Sequence, residues 1–155
     1  MRTRPDDAGE RREVEKMSER KIFVNLTAHQ LSDAQVEEIK KFADEIVKAE
    51  AVLSREMIQK LRQCPSDVKE LYDLAYELSE YLKEYARMEG AYLYVHLPTG
   101  SPVFMWVLGY YFPHTYCCPV FSHSRRVVEE VPQPDGTVIK KSVFRFEGFI
   151  FPDGR

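Results

Sequence analysis

The chain has 155 residues and a mass of 18.2 kDa, enough for one domain, and its 44% hydrophobic, 12% aromatic and 30% charged residues exclude a disordered protein. Twenty-two Lys and Arg against 25 Asp and Glu give a net charge of -3, so no global positive field draws in long nucleic acid, although a local pocket for a small anion remains open. Cys64, Cys117 and Cys118 make neither a disulfide framework nor a zinc-ligand pattern, and the longest aromatic-rich run, 103–112, falls short of the ~20 residues of a membrane span, so a cytoplasmic protein without membrane contact is expected.

Residues 1–20 carry six basic and six acidic side chains without a helical stripe and are expected as a charged flexible tail. The remainder, 21–155, is read as one folded domain. It opens with an apolar, β-branched run over 21–27, a buried strand. Ser32 followed by Gln35 forms a capping box, so a helix is expected from Asp33, with Val36, Ile39, Ala43, Ile46 and Val47 as its inner stripe and Glu45 among its solvated residues. A second strand is expected over 49–54 and a short helical piece over 57–61. Asp67 and Gly90 bracket a long helix striped by Val68, Leu71, Leu74, Ala75, Leu78, Leu82 and Tyr85.

A third strand over 91–97 runs into Pro98-Thr99-Gly100-Ser101-Pro102, where Ser101 caps a helix with Pro102 at its first position. Nearly every side chain from Val103 to Phe112 is apolar, so this helix is expected to be buried, with Trp106 in the core or at a dimer interface. A fourth strand over 116–121 is followed by runs over 126–131 and 137–151 that flank Pro132-Gln133-Pro134-Asp135-Gly136, the turn of an antiparallel hairpin. The fold class that follows is α/β: a single Rossmann-like domain, a mostly parallel sheet flanked by helices, with a C-terminal antiparallel hairpin.

In such sheets ligands bind beyond the carboxyl ends of the parallel strands. That rule selects residues 25–29, 98–101 and 122–126, all rich in small hydroxyls, which suit phosphate oxygens and ribose hydroxyls. Each has a plainer alternative: Gly100 as a tight turn, His29 as a solvated loop residue, Arg125 and Arg126 as surface partners of Glu129 or Glu130. His96 reads as a hydrogen-bonded strand residue, His114 as a turn residue, and Cys117 and Cys118 as small packed hydrophobes. Signatures of P-loop hydrolysis, dinucleotide binding, zinc proteolysis and nucleophile-elbow hydrolases are missing from the sequence.

Asn25-Leu26-Thr27-Ala28-His29, then Leu31-Ser32-Asp33-Ala34-Gln35, together with Phe121-Ser122, Arg125-Arg126, Glu129-Glu130, Asp135-Gly136 and 141–145, resemble the two ends of small CRISPR-associated proteins with a Rossmann-like, CARF-type fold. Phe146 stands where such proteins often carry His. The resemblance implies a homodimer that binds cyclic oligoadenylate, and in several members cleaves it as a ring nuclease, ending type III CRISPR signalling. It implies neither cofactor nor metal: the ribose 2′-hydroxyl attacks the neighbouring phosphate. On this reading His29, Arg125 and Arg126 are the catalytic candidates, and Asn25, Thr27, Thr99, Gly100, Ser101, Ser122 and Ser124 bind the ligand. Two other readings stay open: a sensor or sink that binds the ring without cutting it, and a protein-interaction subunit without a nucleotide ligand.

Overall fold

The structure, a computed structural model, describes residues 20–98 and 100–153. Apart from Arg20, the expected tail lies outside the described residues, as does Thr99. In chain order the elements are β1 (Lys21–Asn25), α1 (Asp33–Ile39), β2 (Glu45–Lys48), α2 (Ala49–Val52), α3 (Arg55–Arg62), α4 (Val68–Glu89), β3 (Tyr92–His96), α5 (Pro102–Tyr111), β4 (Cys117–Pro132) and β5 (Val138–Ile150). They form one five-stranded sheet in the order β2-β1-β3-β4-β5, parallel except for β5. The expected α/β architecture, with its C-terminal hairpin, is the one observed.

At its centre both faces of the sheet are covered, which is why β1, β3 and the first residues of β4 are largely apolar and buried. Alternation divides them: Ile22, Val24, Leu93, Val95 and Cys117 face α2 to α5, while Phe23, Tyr92, Tyr94, Cys118 and Val120 face the other way, onto Ile39, Phe42, Phe149 and Phe151. The long helix α4 buries Leu71, Leu74, Ala75, Leu78 and Leu82 in the larger core, starts at the Asp67 cap and stops at Gly90, whose φ of 58° needs a residue without Cβ. Val68, expected on that stripe, is exposed at the first position of the helix.

Several expectations need correction. The capping box forms as expected, but α1 ends at Ile39, and Ile46 and Val47 belong to β2. That edge pairs with β1, so the hydrogen-bonding demand of a β1 backbone edge outweighs the helical spacing. The second strand is therefore 45–48, and Ala49–Val52, expected as a strand, is a short helix. Glu45, expected to face water, stays 42% exposed and also takes Arg20 Nε at 2.5 Å, and the same guanidinium reaches Glu89 Oε2 at 2.7 Å, tying the start of the domain to β2 and α4.

Another correction concerns α5, which buries Phe104, Val107 and Leu108 on one side and leaves Val103, Trp106 and Tyr110 exposed on the other. Trp106 is 64% exposed and packs edge-on against Tyr110 at 5.2 Å. A helix on the outside of a sheet has only one side to bury, however apolar its sequence. The fourth strand and the first hairpin run are one strand: residues 117–120 pair with β3, and from Phe121 outward β4 pairs only with β5, with a register shift at His123/Ser124.

Candidate functional site

The chain leaves β1 towards one sheet face, through α1, and leaves β3 towards the other, through α5. The strand order reverses between these neighbours, so their connections diverge and leave a crevice at the carboxyl ends. A cavity of about 1050 Å³ occupies that position. Among the described residues, Thr27, His29, Gly100, Ser101, Ser122 and Ser124 line it, so the three segments selected from the sequence meet at one cavity.

Asn25 lies directly behind the lining. Its side chain folds the β1–α1 loop: Oδ1 accepts from Thr27 N at 3.1 Å and Thr27 Oγ1 at 2.7 Å, and Nδ2 donates to the His29 carbonyl at 3.0 Å. Arg62, at the end of α3, holds the same loop by donating Nη1 to the Leu26 carbonyl at 2.7 Å and Nη2 to that of Thr27 at 3.1 Å, and it also lines the cavity. His29 stands exposed on the loop so fixed.

Register places Asn25 beside His96, the last residues of adjacent parallel strands. His96 Nδ1 lies 3.1 Å from Asn25 Oδ1, and Nε2 lies 2.8 Å from Ser122 Oγ. Ser122 in turn accepts from Gln35 Nε2 at 2.9 Å. The imidazole is buried, and burial first, then the nearby His29, pushes its pKa down to about 4, so it is neutral near pH 7.

Opposite, Ser101 caps α5 by accepting from Phe104 N at 3.2 Å, and no acidic residue occupies the first turn. The positive end of α5 therefore faces the cavity through Gly100 and Ser101. Cys64 lines the same wall, its thiol pKa raised by burial against the opposing hydrogen bond of Ser101. Among the described residues no cluster of three or more His, Cys, Asp and Glu is placed to hold a metal, and no helix is long and apolar enough to cross a membrane.

Arg125 and Arg126, expected at this rim, are not among the lining residues. Both lie on the exposed hairpin, Arg125 with Nε 2.9 Å from Glu147 and Arg126 donating Nε to Ser142 Oγ at 2.7 Å, because β4 continues straight past the sheet and carries them outward. Among the described residues, the arginine that lines the cavity is Arg62. Sequence reasoning also left His96, Gln35 and Arg62 out of the site: His96 is the buried, hydrogen-bonded strand residue expected, but its partners are site residues. The signal was its position at the carboxyl end of an expected parallel strand, where the rule for such sheets places ligands. Phe146 packs on Phe149 at 5.0 Å. No curated protein and no solved structure matches the chain. Residues 21–150, nearly all of this domain, match one family model, and the chain belongs to the Uncharacterized protein MJ1673 family.

Proposed function

We propose that the cavity binds a cyclic oligoadenylate, with cyclic tetra-adenylate the preferred ring, and opens it without a metal by attack of a ribose 2′-hydroxyl on the adjacent phosphate, which would end a type III CRISPR signal. The observation that carries this reading is the convergence of three hydroxyl-rich segments on one cavity of about 1050 Å³, at or above the upper end of the ~300–1,000 Å³ usual for small-molecule sites. A space of that size suits several nucleotides better than one.

The reaction asks the protein to align the nucleophile, move protons and stabilise charge on the phosphorane. Arg62 and the N-terminal end of α5 supply positive potential, and His29, exposed at the mouth, can carry a proton to the leaving 5′-oxygen. Arg125 and Arg126 have no part in this arrangement. Two copies would meet through the exposed Val103, Trp106 and Tyr110, so that a two-fold symmetric ring spans both sites.

Incubation of the purified protein with cyclic tetra-adenylate or cyclic hexa-adenylate in the presence of a chelator, followed by chromatography, tests the proposal. Linear products ending in a 2′,3′-cyclic phosphate are expected. A ring bound but uncut identifies a sink instead, and failure to bind either ring refutes the nucleotide reading.

A further inference from the structure

The network behind the cavity has its hydrogens fixed from both ends. Asn25 Oδ1 faces the backbone N–H of Thr27 while Nδ2 faces the His29 carbonyl, so the amide has one workable orientation. An amide oxygen only accepts, so His96 Nδ1, 3.1 Å away, carries the ring hydrogen, and the neutral imidazole leaves Nε2 bare. At the other end the capping box turns Gln35 Oε1 to the N–H of Ser32 at 2.8 Å, which leaves its NH₂ facing Ser122. An amide NH₂ only donates. Ser122 Oγ must receive that bond, and its single hydrogen goes to His96 Nε2 at 2.8 Å.

We infer that Ser122 meets the ligand as a hydrogen-bond acceptor only, receiving a hydroxyl or N–H donor and turning away phosphate oxygens. A serine hydroxyl has one hydrogen and two lone pairs; His96 takes the hydrogen, Gln35 one pair, and the second pair is left for whatever fills the cavity that Ser122 lines. A phosphate oxygen there would meet a lone pair with no hydrogen between them. Resting on the ring reading above, the donor is a ribose 2′-hydroxyl, and accepting its hydrogen leaves the 2′-oxygen pairs directed to phosphorus. Asn25, His96 and Gln35 are positioning residues for this serine.

The test compares the affinities of cyclic tetra-adenylate, its 2′-deoxy ring and its 2′-fluoro ring by calorimetry, alongside the ¹⁵N resonances of His96 in the free protein. Loss of one neutral hydrogen bond weakens binding about fivefold. Both substituted rings should bind that much more weakly than the ribose ring, because fluorine cannot donate, and Ser122→Ala should bind all three alike. A 2′-fluoro ring that matches the ribose ring, or a ribose preference that persists in Ser122→Ala, overturns the inference. At pH 7 the nitrogen spectrum should show hydrogen on Nδ1 and a bare Nε2; hydrogen on Nε2 overturns it equally. If none of the rings binds, the ring reading falls, and the nitrogen resonances decide by themselves whether Ser122 is an acceptor.

Discussion

Acid should destabilise this protein through a single buried imidazole. His96 keeps a pKa of about 4 in the fold against 6.5 when free, with burial the main cause. Between those values the unfolded chain takes up a proton that the folded chain refuses, so stability present in full above pH 6.5 is lost as pH falls through the window. The two binding polynomials give a loss of about 2 kcal/mol at pH 5 and about 3 kcal/mol once pH is below the folded value. Against a total of roughly 5–15 kcal/mol for a domain, that is a large share. Urea denaturation of the wild type and of His96→Gln, from pH 7.5 down to 4.5, isolates this contribution, because glutamine does not titrate and the carboxylates common to both chains cancel. The difference in unfolding free energy should shift steadily against the wild type below pH 6.5. A difference that stays flat over the range, or moves in favour of the wild type, refutes the argument that burial excludes the charged ring.

Other outcomes follow from single contacts. Gly90→Ala should cost about 1 kcal/mol in denaturant unfolding, entirely from the left-handed backbone, since nothing lies within 4 Å of the added methyl. Arg62→Ala should weaken binding of cyclic tetra-adenylate at least tenfold in a fluorescence titration by releasing the Leu26 and Thr27 carbonyls, whereas Arg125→Ala, on the exposed arm, should leave it unchanged. Equal effects of the two would contradict the placement of the cavity. The Glu45 carboxyl is held below its ordinary range chiefly by the Arg20 hydrogen bond, so Arg20→Ala should raise its pKa, a change readable in the side-chain carbonyl resonance.

Local signals carried most of the elements. The Ser32 box, the Asp67 cap with the Gly90 stop, and Ser101 before Pro102 are interactions between residues within a few positions of each other, and each element end lies where those residues put it. Residues 45–54 were opaque because four residues of strand and four of helix give no period to read, and their conformation is decided by the open edge of β1. The same divide separates the two halves of the site. Strand-end loops were found by the general rule for parallel sheets, yet the pairing of Asn25 with His96 depends on register between strands 71 residues apart in sequence. The double arginine misled for a related reason: nothing local reveals that β4 keeps going as an exposed ribbon instead of ending at the crevice.

That ribbon leaves β4 with two unequal neighbourhoods along one backbone. Cys117 to Val120 are held between β3 and both cores, while the stretch beyond Arg125 has only β5 for support and water on most sides. Amide exchange should therefore grade steeply along the strand, slow through its root and fast at its tip, because a two-stranded piece opens without disturbing the sheet. Ser122 falls at the boundary, where Phe149 faces it and the register slips one residue later. Fraying that travels down the arm reaches this serine before any buried strand, so the arm's own opening equilibrium limits how long the crevice keeps its shape.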